Sequence, residues 1–167
     1  HIGKGYCSSV CCMYATKESV IAKEHAPEME ATIFFMDLRA YGKDFDKYIE
    51  RAKKDYQVRY IRSRVSHLEE TSDTHNLLIN YETEDDQRVT EEFDLVVLSV
   101  GLEPARDHDE IAKVFGIDLN PYGFAKTSTF TPLQTSRSGV FVSGAFSEPK
   151  DVPETVAQAS AAAAEAS

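Results

Sequence analysis

The stretch from Ala31 to Ile61 limits the fold more than any other part of the sequence. Ala31-Thr-Ile-Phe-Phe-Met36 is β-branched and aromatic with no polar alternation, which is how a central parallel strand covered on both faces reads. Between residues 43 and 56, Phe45, Tyr48, Ile49 and Ala52 recur at helical spacing, and lysines, aspartates and Glu50 fill the opposite side. This is the pattern of a surface helix lying on a sheet. Val58-Arg-Tyr-Ile61 then returns as a second strand. A strand, helix, strand unit crosses over right-handedly almost without exception, so the fold is α/β with a Rossmann-like parallel sheet.

The flanking segments extend this core. Met13, Ala15, Val20, Ile21 and Ala22 among charged neighbours predict a helix over residues 8–24, with Pro27 marking its exit. Residues 65–70, 76–82 and 88–92 are short and mixed in polarity, separated by Ser-Asp-Thr-His and Glu-Asp-Asp-Gln turns, and predict an antiparallel β-meander. Asp94-Leu-Val-Val-Leu-Ser-Val100 predicts a buried strand running into Gly101. A short helix over 109–115 stops at Gly116, Gly139-Val-Phe-Val-Ser-Gly144 predicts one more buried strand, and Pro153 opens an alanine-rich terminal helix over 154–167.

Charge and length narrow the function. Twenty-eight acidic against eighteen basic residues leave a formal charge of −10 on 167 residues, which repels phosphate backbones and anionic lipid and argues against nucleic acid as a partner. No apolar run reaches the length of a membrane helix. His1-Ile-Gly-Lys-Gly holds neither a signal core nor an initiator methionine and reads as the start of an excised fragment. Three cysteines within six positions and none elsewhere suit a metal site or redox thiols in a reducing compartment better than a disulfide framework, so a cytoplasmic setting is expected.

Cys7, Cys11 and Cys12 carry the strongest chemical signal. At a helix start, positions four and five apart come round to one side, so three thiolates can converge on one soft metal. Three inert buried thiols, a redox disulfide and adventitious zinc are the other readings. Gly3-Lys-Gly-Tyr-Cys-Ser8 matches a dinucleotide fingerprint poorly, because Ser8 stands at the third glycine. Asp37 lies too far downstream for the usual ribose contact and suits a cap or an Arg39 partner better. His25, His67, His75 and His108 sit in polar stretches and read as solvated. Lys150, Asp151 and the Pro153 helix start, with Val156, Ala157 and Gln158 in its first turns, could present positive charge and N–H groups to an anion; helix capping by Asp151 is the plainer alternative. Gly101 would let backbone approach a ligand, or simply make a turn.

The order of elements resembles part of a thioredoxin-reductase-like flavoprotein domain. Tyr6-Cys-Ser-Ser-Val-Cys-Cys-Met-Tyr-Ala-Thr-Lys17, Met36-Asp-Leu-Arg-Ala-Tyr-Gly-Lys43, Phe93-Asp-Leu-Val-Val-Leu-Ser-Val-Gly-Leu102 and Gly139-Val-Phe-Val-Ser-Gly-Ala-Phe-Ser-Glu-Pro-Lys-Asp151 followed by Val156-Ala-Gln-Ala159 are similar to the heterodisulfide reductase A-subunit family. The resemblance implies an internal piece of an FAD- and iron–sulfur-containing oxidoreductase subunit working toward a thiol–disulfide acceptor. It implies Cys7, Cys11 and Cys12 as ligands of a 4Fe-4S cluster whose fourth cysteine lies upstream of this chain. It also implies Gly101, Gly144, Ala145, Lys150, Asp151, Val156, Ala157 and Gln158 as part of an FAD site, with Ala145 where related flavoproteins place a ribityl-binding aspartate. Residues 1–125 would then be a nucleotide-binding-like subdomain and 126–167 a return segment of the FAD subdomain. Partner subunits of the same enzyme type are expected, a homodimer is an option, and the isolated fragment is expected to be inactive and to bind neither group by itself. The alternatives are a non-catalytic scaffold with structural cysteines and an NAD(P)H-linked disulfide-reductase-type domain.

Overall fold

The computed structural model describes residues 4–167, which form two compact units, one of residues 11–100 and one joining residues 4–10 to 101–167. Gly3, the first glycine of the weak dinucleotide match, lies outside the described residues.

The unit of residues 11–100 begins with α1 (Cys11–His25), which buries Met13, Thr16 and Val20 and carries Lys23 and His25 in its last turn, where cations complement the carbonyl end of a helix. It is followed by β1 (Thr32–Phe35), α2 (Phe45–Lys54) and β2 (Arg59–Arg62). β1 and β2 pair in parallel from Thr32 opposite Arg59 to Phe35 opposite Arg62. Val20, Ala52 and Val58 form the centre of this core, with Ala31, Ile33, Tyr48, Tyr56 and Tyr60 packed around it. The spacing of Phe45, Tyr48, Ile49 and Ala52 therefore does what it predicts, turning one side of α2 onto the sheet.

The meander is present as β3 (His67–Glu70), β4 (Leu77–Glu82) and β5 (Arg88–Phe93), antiparallel in the order β3-β4-β5. Phe34 of β1 meets Tyr81 and Phe93 edge-on, with ring centroids 4.9 and 5.8 Å apart. Aromatic edge-to-face contacts of this kind add to area burial and tie the meander to the parallel pair.

Two predicted strands are corrected. Residues 94–100 take no strand conformation, and Leu95, Val97, Leu98 and Val100 are between 66% and 75% exposed. A fully apolar strand must satisfy its backbone through neighbours on its edges, and among the described residues none pairs with this segment. β1 likewise is partly exposed along its length rather than covered on both faces.

In the second unit, residues 139–144 are also not a strand. One bridge joins Phe141 to Gln134, and Val142 N donates to Leu133 O at 2.8 Å, after which a 3₁₀ turn over Gly144–Phe146 carries the chain away. Gly144 has φ of +71°, a conformation that glycine enters without the steric cost a Cβ brings. This unit holds α3 (His108–Phe115), ended by Gly116, and α4 (Val152–Glu165). Its core gathers Ala112, Ile117, Ala125 and Val142, with Leu119, Val140 and Phe146 against them.

Candidate functional site

The cysteines divide between the units. The helix expected from residue 8 starts at Cys11 instead, because Ser9 takes a left-handed φ of +60° and breaks the first turn expected. Cys7 thus precedes the helix, and its Sγ accepts a hydrogen bond from Ser9 N at 3.3 Å. Cys11 and Cys12 open α1. Cys12 Sγ accepts from Arg39 N at 3.4 Å and donates to Asp37 O at 3.8 Å, and Ser99 Oγ donates to Cys11 O at 3.1 Å. All three cysteines are partly buried and none is in a disulfide.

The donor chemistry of these residues fits an iron–sulfur centre: soft thiols, with backbone N–H groups already aimed at two of the sulfurs. The number falls one short of four, and among the described residues no three His, Cys, Asp or Glu side chains converge on a position that could hold a metal. Asp37 Oδ2 accepts from Arg39 Nε at 3.0 Å, the partner role expected for it.

The second unit holds a cavity of about 410 Å³ walled by Tyr6, Cys7, Asn120, Tyr122, Phe124 and Lys150, with Ser9, Glu148, Pro149 and Glu154 completing it. The Asn120-Pro-Tyr-Gly-Phe124 segment builds the aromatic wall. Asn120 Oδ1 accepts from Tyr122 N and Phe124 N at 2.9 and 3.1 Å, an Asx-type turn that fixes both rings. Tyr6 stands edge-on to Tyr122 and Phe124 at 5.1 and 5.2 Å and donates its hydroxyl to Leu102 O at 2.9 Å. Burial first, and the carboxylate of Glu103 second, hold the Tyr6 phenol above its ordinary pKa, so it stays neutral.

Lys150 is the unusual member, at 7% exposed. Among the described residues its Nζ meets only Glu148 Oε1, at 3.2 Å, and that carboxylate is largely in solvent. A buried ammonium with one wet partner keeps much of its desolvation cost, so the cavity favours an anionic group.

The other residues singled out as flavin contacts do not wall this cavity. Gly144 N donates to Gln158 Oε1 at 2.9 Å, and Ser147 Oγ bonds Gly144 O and Gln158 Oε1 at 2.8 and 3.3 Å. The backbone N–H of Gly144 is thus spent within the chain. Asp151 caps α4 with a complete capping box, Asp151 Oδ1 accepting from Glu154 N at 2.8 Å and Glu154 Oε2 from Asp151 N at 3.2 Å. Ala145, Val156 and Ala157 are exposed. Gly101 packs on Ser8: an added Cβ would stand 2.2 Å from Ser8 Oγ, which accepts from Leu102 N. His25, His67 and His75 are exposed, as expected. Sequence reasoning missed Tyr6, Asn120, Tyr122 and Phe124; the Pro-x-Gly signature after Asn120 was the one available signal.

Known proteins share this sequence over most of its length. The family model of pyridine nucleotide-disulphide oxidoreductases matches residues 2–166. The chain is 43% identical to the CoB–CoM heterodisulfide reductase iron-sulfur A-subunit 2 of Methanopyrus kandleri, covering 99% of this chain and 26% of that protein. It is 41% identical to the CoB–CoM heterodisulfide reductase iron-sulfur A-subunit of Methanocaldococcus jannaschii, over 97% of this chain and 25% of that one. With the A-subunit of the H(2)/formate:CoB-CoM heterodisulfide,ferredoxin reductase of Methanococcus maripaludis the identity is 42%, over 97% and 25%. The chain spans about a quarter of the length of the curated relatives it matches. Among the described residues no helix is long and apolar enough to cross a membrane.

Proposed function

The chain belongs to the pyridine nucleotide-disulphide oxidoreductase family and is similar over nearly its whole length to a quarter of the heterodisulfide reductase A-subunits; from that premise we propose that it is an electron-transferring piece of a flavo-iron–sulfur subunit. Cys7, Cys11 and Cys12 would supply three ligands of a 4Fe-4S cluster, the fourth coming from outside this chain. Lys150 would hold the anionic edge of a flavin ring, with Asp151, Val156, Ala157 and Gln158 shaping the helix start beneath it and Gly101, Gly144 and Ala145 keeping the backbone close. FAD, when bound, supplies the exchange between two-electron and one-electron chemistry that a thiol–disulfide acceptor and an iron–sulfur centre require. The observation that carries the reading is that Cys7 and Lys150 wall the same cavity.

In this reading residues 1–125 and 126–167 divide by cofactor role and not by compactness. Other subunits of the same enzyme type are the partners, and the reducing cytoplasm is the setting that keeps three neighbouring cysteines out of disulfides. Replacing Cys7, Cys11 and Cys12 one at a time by serine in the full-length protein should lower iron and sulfide content and remove the cluster's paramagnetic resonance signal. Unchanged iron in all three variants would sink the reading. A second reading, a docking piece with structural cysteines, is favoured by the exposed apolar side chains of residues 95–100. It predicts that the cysteine variants keep both their iron-free state and their association with partner subunits.

A further inference from the structure

Residues 11–100 contain another cavity, of about 530 Å³, that neither the cluster nor the flavin reading uses. Ser63 and Arg64 enter it directly after β2 ends at Arg62, and Glu82, Thr83 and Arg88 enter it from the β4–β5 hairpin. The carboxyl end of a parallel strand is where open α/β sheets receive ligands.

The arginines of this chain are mostly committed. Arg39 bonds Asp37, Arg51 the Tyr56 hydroxyl, Arg59 Glu91, Arg62 Glu84, and Arg137 the Phe115 carbonyl. Among the described residues the guanidinium groups of Arg64 and Arg88 meet no carboxylate or carbonyl, although the chain carries 28 acidic residues. Glu82 stands directly opposite Arg88 in the strand register without forming an ion pair with it. The hydroxyl donors divide in the same way. Ser66 and Thr90 spend theirs on Asn80, whereas Thr83 Oγ1 only accepts, from Gln87 N at 3.2 Å, and keeps its proton to donate.

Two forked cations and an unspent hydroxyl facing one polar cavity suit a tetrahedral dianion, because each guanidinium can donate two parallel N–H bonds to it. We propose that this cavity binds the phosphate group of a small molecule through Arg64 and Arg88, with Thr83 and Ser63 donating and Glu82 opposing. The proposal is independent of the flavin and cluster reading and is tested without either group.

The experiment is a ¹H–¹⁵N titration of this chain with inorganic phosphate and with pyrophosphate. Saturable shifts confined to residues 63–66, 82–83 and 88–90 are expected at about 10 mM phosphate or below. Arg64→Gln and Arg88→Gln should each weaken binding about tenfold. Glu82→Gln should tighten it several-fold by removing the repulsion. Arg106→Gln, which removes an equally unpaired arginine outside the cavity, should leave binding unchanged. The variants replace exposed side chains, and retained spectral dispersion checks that each one folds. Equal weakening by Arg64→Gln and Arg106→Gln would reduce the effect to general charge and overturn the proposal. So would the absence of saturation, or stronger binding of an acidic peptide than of pyrophosphate at equal charge.

Discussion

Thr16, fully buried on α1, shows how a single polar side chain can orient a helix on a sheet. It accepts from the Tyr60 hydroxyl at 3.0 Å and donates to Cys12 O at 2.8 Å, so one side chain links the cysteine-bearing turn of α1 to β2. Thr16→Val keeps the shape but leaves the Tyr60 hydroxyl without its acceptor, which should cost about 1–3 kcal/mol in urea denaturation. Burial pushes the Tyr60 phenol above its ordinary pKa, the Thr16 hydrogen bond opposes that, and Tyr48 adds to it. Because the folded value exceeds the unfolded one, the stability from keeping this phenol neutral is fully present below about pH 10 and is lost as pH rises through the folded value. Urea midpoints should therefore fall above about pH 10, and less steeply in Tyr60→Phe; an unchanged slope in that variant would remove Tyr60 as a cause. Gly101→Ala makes a comparable test in the other unit. The new Cβ must displace Ser8 Oγ from Leu102 N, at a cost of about 1–3 kcal/mol, and Ser8→Ala should lose the same hydrogen bond without the clash.

Among the elements, α4 owes its start to Asp151 and Glu154, whose reciprocal bonds satisfy two donors that the first turn leaves open. No residue of α4 is buried, so tertiary packing contributes little there and the cap matters more than it would in a core helix. Asp151→Ala should cost about 1 kcal/mol and raise amide exchange in the first turn, while Asp151→Ser should restore most of the protection. The strand, helix, strand unit and the meander were legible in the sequence because their signals are local: apolar spacing in α2 and short runs between turn residues for β3 to β5. Residues 94–100 and 139–144 misled for the converse reason, since an apolar run becomes a strand only when a neighbour pairs with it. The cysteine spacing located the soft donors, but the helix start was misread because nothing in Ser8-Ser-Val10 announces that Ser9 turns left-handed. Lys150 was singled out by its motif, and it lines the cavity. The aromatic wall was not, because Tyr6 meets Tyr122 and Phe124 across more than a hundred positions of chain.

For the molecule as a whole, the acidic charge and the apolar run at residues 95–100 pull against each other. A net −10 keeps copies apart, whereas Leu95, Val97, Leu98 and Val100, each at least 66% exposed, form the kind of contiguous apolar surface that drives association. These side chains bury little within this chain, so replacing them removes little hydrophobic stabilisation, at roughly 25 cal/mol per Å² of buried area. Leu95→Ser with Val97→Thr should therefore leave the unfolding free energy of the 167-residue chain, from urea denaturation, within about 0.5 kcal/mol of the parent, the range of ordinary surface changes. Light scattering at raised salt, which screens the acidic repulsion, should fall. The same pair placed in the full-length protein separates two situations. A cost there of more than about 2 kcal/mol means that a segment outside these residues covers the run, because only buried methyl groups carry penalties of that size. An unchanged stability in the long protein together with lost binding of a partner subunit means that the cover is another chain. If the unfolding free energy of the 167-residue chain itself falls by more than about 1 kcal/mol, residues 95–100 are packed in solution and the run is not an open surface.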